Sequence, residues 1–313
     1  MKNPARIRTG LVAALWMFMG THVMGQGSLT PPGAPGETMK SLEQVEPRTP
    51  ISSLPYTITE SGSYYVTGNL SSTTNGIVIE ASGVTVDLMG FSITGDGSNG
   101  DYGIYVDGST NAVIENLVIK GGRIGGFFEG LYCNYMNNSR IEQMRVFGNV
   151  YGGVYLSGAN GQCNGNTIAD STISGNGDKG VYLYGTSGQC NGNTIADCAI
   201  SDNAHYGVYL NGRYGQCDGN TIRENTISKN STKGIRVYDA DGNRVEANNV
   251  WGTTGDGTTY GIQTETGASN FILKNTCVGN GTNYDLDSND TAGPIVSASG
   301  YLSGTDPWAN FSR

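Results

Sequence analysis

The sequence predicts an all-β solenoid, a parallel β-helix, and three observations predict it. The first is a row of near-identical tetrads. Gly153-Val154-Tyr155-Leu156 recurs as Gly180-Val181-Tyr182-Leu183 and Gly207-Val208-Tyr209-Leu210, then more loosely as Gly234-Ile235-Arg236-Val237, always at a step of 27 residues. The second is a row of Asn166-Thr167-Ile168, Asn193-Thr194-Ile195 and Asn220-Thr221-Ile222, with a further isoleucine five residues on at Ile173, Ile200 and Ile227. The third is composition: 49 glycines and only 14% charged residues suit a chain of many tight turns. Short β-type runs broken by Gly, Asn and Ser show no helical period. A fixed period in this range marks a repeat architecture. Three short strands per repeat, stacked on the next repeat, make one coil.

In chain order, residues 1–25 read as a signal peptide. Lys2, Arg6 and Arg8 form a basic start, Leu11 to Met19 an apolar core, and Val23-Met24-Gly25 a small-residue cleavage site. That apolar run is too short for a membrane anchor. Residues 26–50, with Pro31, Pro32, Pro35, Pro47 and Pro50, read as a linker. Residues 51–75 read as two strands covering the open first coil, because a solenoid end is an exposed sheet edge. The coils run over 76–287. Stepping back from Gly153 gives Gly130, Gly103 and Gly76, and stepping forward reaches Gly261, for about eight coils. Extra residues follow the tyrosine strand in the coils that start at Gly153, Gly180 and Gly207. Residues 288–313 lose the period and read as a second cap.

Alternation within each tetrad points Val and Leu inward and Tyr outward. The inward columns include Ile104, Leu131, Val154, Val181 and Val208 in the first row, and Val86, Val113, Ile141, Ile168, Ile195 and Ile222 in the second. Two asparagine columns accompany them: Asn149, Asn176, Asn203, Asn230, and Asn166, Asn193, Asn220, Asn243, Asn270. An amide can donate to one neighbouring coil and accept from the other, so these columns read as structural ladders. Asn149 and Asn230, nearer the ladder ends, are expected to matter less than Asn176 and Asn203.

Lys plus Arg number 18 against 27 Asp plus Glu, a net charge of −9 that grows more negative if the basic leader is removed. No basic patch stands out, so nucleic acid is a poor partner. His22 leaves with the leader, so His205 stands alone and most His-based metal or nucleophile chemistry is excluded. No cofactor or metal is implied.

The recurring Asn-x-Ile…Ile-x-x-Asn…Gly-Val-Tyr-Leu resembles the right-handed parallel β-helix repeat proteins of the pectin-lyase-like superfamily, over about residues 76–287. The resemblance implies a right-handed β-helix. It does not carry an activity, because that superfamily holds polysaccharide lyases, polygalacturonases, epimerases, tailspikes, adhesins and periplasmic maturation factors. The chain has no Gly-His-Gly, no paired-Asp motif of the polygalacturonase type and no Asp-Pro-His.

Candidate sites follow from the outward columns. Tyr105, Tyr132, Tyr155, Tyr182 and Tyr209 line one strip, with Tyr184 and Tyr238 one step along. Such a strip is either aromatic packing that stabilises the sheet or a flat platform for sugar rings. Glu80 and Asp107 share an outward column on adjacent coils. They are either two solvated carboxylates or a pair at the spacing of retaining glycoside hydrolysis. Asp87 reads as a turn residue. Cys133 and Cys277 read as small core residues, and Cys198 as one of the polar turn residues. Cys163, Cys190 and Cys217 form a column whose spacing suits one disulfide, with Cys190 bonded to Cys163 or Cys217. Three thiols can in principle hold copper, but no His or Met stands beside them. The leading expectation is an exported protein that binds a polysaccharide or cell-surface glycan without catalysis. A lyase or glycosidase acting on the same face, and a structural envelope component or adhesin, are the alternatives.

Overall fold

A computed structural model describes residues 47–98, 100–109, 112–255, 257–267, 269–297 and 306–313. The expected leader and most of the expected linker lie outside these residues. The described chain is a parallel β-helix, right-handed as parallel crossovers are. One face is a ten-stranded parallel sheet, from Tyr56–Ile58 through Ile77–Ile79, Tyr102–Asp107, Glu129–Asn134, Gly152–Ser157, Val181–Tyr184, Tyr206–Asn211, Lys233–Tyr238 and Tyr260–Glu265 to Thr282–Asp285. The tetrads lie in this sheet. The other faces come from two short strands per coil, such as Thr167–Ala169 and Thr172–Ser174, paired in parallel with their counterparts in the next coil. In two coils these fuse into Val118–Gly125 and Arg140–Phe147.

The helix is longer than eight coils. Tyr56–Ile58, Gly62–Val66 and Leu70–Ser71 form a coil of their own, in parallel register with Ile77–Ile79, Val84–Asp87 and Ser92–Thr94. The expected two-stranded cover is therefore a rung. Its alternation buries Tyr64 and Val66 as the repeats bury theirs. Thr49–Ile51, inside the stretch expected as linker, pairs with Tyr64–Val66 and closes that end. At the other end Thr291–Ala292 and Asn310–Ser312 extend the strands that contain Phe271 and Thr276.

The inward columns form one continuous core. One expected member is wrong. Ile119, not Val113, aligns with Val86 and Ile141. Ile114–Glu115 pairs in parallel with Met136–Asn137 as a separate two-stranded sheet, with Ile114 and Met136 in the core, so the second-row strand starts later than the period suggests. The tetrad glycine has a steric cause. A Cβ on Gly153 would stand 2.6 Å from both the Gly180 carbonyl and the Ile173 side chain.

The asparagine ladders occupy the corners, where sheet pairing breaks and backbone N–H groups need another acceptor. Asn166 Oδ1 takes the Ser139 N–H, and Asn193 Oδ1 takes both the backbone N–H (2.8 Å) and the side-chain amide (3.0 Å) of Asn166. A third ladder, unread in the sequence, runs Asn225, Asn248, Asn275, Asn310 at the corner between the two short strands. Ser171 and Cys198 hold its upstream places. Cys198 is accordingly buried, not a polar turn residue, and takes the amide oxygen of Asn225 on its N–H.

Candidate functional site on the ten-stranded sheet

The outward side of the ten-stranded sheet carries the chemistry, and parallel register sets its columns. The central column is Tyr105, Tyr132, Tyr155, Tyr182, Tyr209, followed by Arg236, Gln263 and Asp285. The residue before each tetrad glycine also points outward and gives a second column, which includes Tyr102, Glu129, Gly152, Lys179, Tyr206, Lys233 and Tyr260. One residue earlier lies a rim of Phe128, Tyr151, Asp178, His205 and Thr232, tied rung to rung by backbone hydrogen bonds.

The five expected tyrosines are thus brought together, but not as a flat platform. Tyr182 and Tyr209 stack at 5.0 Å with only 12° between ring planes, and Tyr155 lies 4.7 Å from Tyr182. Tyr102 stacks on Tyr132 at 4.8 Å. Rung spacing and ring-stacking distance nearly coincide, so the stacked pairs cover one another's faces, while Tyr132 and Tyr155 meet edge to face at 83°. None of the five is fully exposed, and Tyr209 is only 7% exposed. Burial raises the phenols of Tyr155 and Tyr182, and raises Tyr209 to about 12, so all remain protonated donors. The Tyr182 oxygen accepts from Asn211 Nδ2 at 2.9 Å, which leaves its proton free to donate.

A charged cluster that sequence reasoning missed lies against these rings. Lys179 pairs with Asp178 and rests over the rings of Tyr151 and Tyr182 at 4.9 and 4.8 Å. Asp178 Oδ1 meets His205 Nδ1 at 2.7 Å. Burial opposes the charge on Asp178, but Lys179, Tyr151 and His205 together hold its carboxyl below the usual range. Glu129 is only 3% exposed and lies across Gly152, where a Cβ would stand 2.4 Å from its Oε2. Burial pushes Glu129 up to about 8, against the pull of the Lys179 charge and with the repulsion of Asp178. His205, the one histidine expected to remain once the leader is removed, is held by a carboxylate with its ring half in solvent. The signal was present in the sequence as the two residues preceding each tetrad glycine.

The expected carboxylate pair is less engaged. Glu80 and Asp107 are both exposed, and Asp107 Oδ1 accepts the Tyr105 hydroxyl at 2.8 Å. Asp87 is the turn residue expected of it, accepting the Met89 N–H at 2.8 Å. The surface depression lined by Gly122, Arg123, Gln143 and Arg145 belongs to the opposite wall and gathers none of these groups.

The thiol column holds no disulfide: all six cysteines are free and buried. Cys163, Cys190 and Cys217 donate to the carbonyls of Cys133, Leu156 and Leu183, and each accepts an amide of the asparagine ladder at 3.5 Å. These bonds tie the thiols to the ladder, while Cys190 also lies within hydrogen-bond reach of the Cys163 and Cys217 thiols. Burial pushes the Cys190 thiol well above its ordinary value, which disfavours the thiolate that a soft metal ion needs. Among the described residues no group of three or more His, Cys, Asp or Glu is placed to hold a metal ion. A thiol held protonated as Cys190 is makes a poor ligand for copper.

Solved structures share the fold. The enzymatically active domain of tailspike protein 2 from bacteriophage CBA120 superposes with a TM-score of 0.61 at 18% identity, covering 80% of this chain and 43% of that one. The A-module of the Azotobacter vinelandii mannuronan C-5 epimerase AlgE6 gives a TM-score of 0.55 at 12% identity, covering 85% and 88%. The chain thus spans less than half the length of the tailspike domain. No curated protein matches the chain in sequence. A family profile described as "Periplasmic copper-binding protein (NosD)" matches residues 89–294, and the chain belongs to that NosD family.

Proposed function

We propose that the protein is an exported glycan-binding member of the family and that the tyrosine face of the ten-stranded sheet is its binding surface. The observation that carries this reading is the unbroken tract of tyrosines on five consecutive rungs, flanked by Tyr102, Tyr206 and Tyr260 and interleaved with Lys179, Lys233 and Arg236. A glycan needs apolar surface for its C–H groups and directed donors and acceptors for its hydroxyls. Ring edges, phenol hydroxyls and amides supply both. Where the rings stack, as Tyr182 and Tyr209 do, binding runs through edges and hydroxyls and not through face stacking. The fold is one that a mannuronan epimerase module also uses, and the family profile is described as periplasmic, which supports export. Among the described residues no helix is long and apolar enough to cross a membrane.

A second reading, cleavage of a glycan on the same face, is favoured by Glu129, a buried acid raised to about 8, beside the Asp178–His205 pair. An acid still protonated at neutral pH is what proton donation to a leaving oxygen requires. Screening the full chain on a glycan array, with reducing-end and unsaturated-product assays on every ligand bound, separates the two. Binding without product supports the binding reading. Product formation that Glu129→Gln abolishes supports cleavage. A blank array across neutral and acidic glycans overturns both.

A further inference from the structure

We propose that the patch around Lys233 is an anion subsite of the tyrosine face, built to take the carboxylate of an acidic sugar; this rests on the glycan-binding reading and names the ligand class. Three cations stand on this face. Lys179 has Asp178, and Arg236 has Glu265 at 2.6 Å. Lys233 has no carboxylate within ion-pair reach among the described residues. Its ammonium instead lies over the rings of Tyr206 and Tyr260 at 5.6 and 5.4 Å. Burial, and next the neighbouring Arg236 charge, push the Lys233 ammonium below its ordinary value, while Glu265 and Asp285 only partly offset them. A half-buried cation packed beside another cation and left without a counter-ion gains from an incoming anion.

The surroundings point the same way. Arg236 Nε, on this rung, is a buried donor without a hydrogen-bond partner, while the likewise unpartnered Gln263 Oε1 on the next rung is an acceptor that suits a sugar hydroxyl and not a carboxylate. Unmet polar capacity of this kind concentrates at sites that a ligand completes. Arg236 Nη1 also donates to the Tyr206 hydroxyl at 3.3 Å, so an anion reaching Lys233 meets a connected set of donors. Lys179 and Lys233 flank Tyr206 two rungs apart, about 10 Å along the axis. That is near the length of two pyranose units, so a chain lying along the axis presents a carboxylate at Lys233 while Lys179 is already answered by Asp178. The subsite is therefore single, and it selects one acidic residue within a bound glycan.

The test is calorimetric titration of the full chain with oligomers of galacturonate, mannuronate and guluronate. Their methyl-esterified forms and free acetate serve as comparisons. Lys233→Gln and Lys233→Arg are titrated beside the parent, and melting temperatures check their fold. The free acid of at least one oligomer should bind about tenfold more tightly than its ester. That preference should weaken with salt, shrink to about twofold in Lys233→Gln and survive in Lys233→Arg. Equal binding of acid and ester, or a preference that Lys233→Gln leaves intact, overturns the subsite while the glycan-binding reading stands. Acetate binding as tightly as the oligomers also overturns it, leaving an adventitious anion site only. If neither acids nor esters bind and the array is also blank, the glycan-binding reading itself falls.

Discussion

Asn176 Oδ1 accepts both the backbone N–H of Asn149 at 3.2 Å and its side-chain amide at 2.9 Å, while Asn176 makes the same two bonds to Asn203. Replacing it with alanine orphans the Asn149 backbone N–H and side-chain amide and removes one of the two donors to Asn203 Oδ1, for a cost of about 1–3 kcal/mol. The sequence suggests a smaller cost at Asn149, near the ladder end. Yet its Oδ1 takes the Phe127 N–H at 3.2 Å, so Asn149→Ala should destabilise as much as Asn176→Ala in chemical denaturation. Glu129 gives a prediction of opposite character. Its folded value near 8 lies above the ordinary 4.5, so the unfolded chain ionises first as pH rises. This group therefore leaves stability unchanged below about pH 4.5 and lowers it progressively between there and pH 8. Glu129→Gln should lack that loss, and the difference between the two stability curves should reach the order of a few kcal/mol by pH 8. Parallel curves would show that Glu129 is already ionised in the fold. Residues such as Tyr182 are legible because the tetrad repeats their type at a fixed step. Glu129, Gly152 and Lys179 share a column without sharing a chemistry, so periodicity alone does not single them out.

At the scale of the coil, the glycine tetrads and inward aliphatic columns follow from alternation and one period. What escapes is wherever the chain leaves that period. The excursion through Ile114–Glu115 moves the second-row strand from Val113 to Ile119. Serine and cysteine at the head of the third ladder hide a column whose later members are all asparagine. The end segments keep the register without the tetrad, since Tyr56↔Ile77 pairing needs only backbone groups and buried alternation. The thiol column is the element whose spacing misleads. Rung separation suits a disulfide, but each sulfur is committed to a carbonyl and an asparagine amide. All of Cys163, Cys190 and Cys217 should therefore resist alkylation in the native protein and all take label once it is unfolded without reductant. Mass spectrometry finding two of the three unlabelled after unfolding would restore the disulfide.

At the scale of the whole β-helix, the described residues present one aromatic face with three embedded cations, and the proposal is that this face binds glycan. Tyr182 lies mid-tract between Tyr155 and Tyr209. Tyr182→Ala removes three aromatic pairs, with Tyr155, Tyr184 and Tyr209, worth about 0.5–1.5 kcal/mol each, so it should lower the melting temperature and cannot by itself isolate binding. Tyr182→Phe keeps all three ring pairs and deletes only the hydroxyl that Asn211 orients at 2.9 Å. The most direct measurement is calorimetric titration of the parent and Tyr182→Phe with the strongest ligand found on the array, alongside their melting curves. The account predicts a severalfold weaker affinity for Tyr182→Phe, from one lost hydrogen bond of about 0.5–1.5 kcal/mol, with little change in melting temperature. Unchanged affinity would mean that glycan binds elsewhere and that the tyrosine column serves only to pack the sheet.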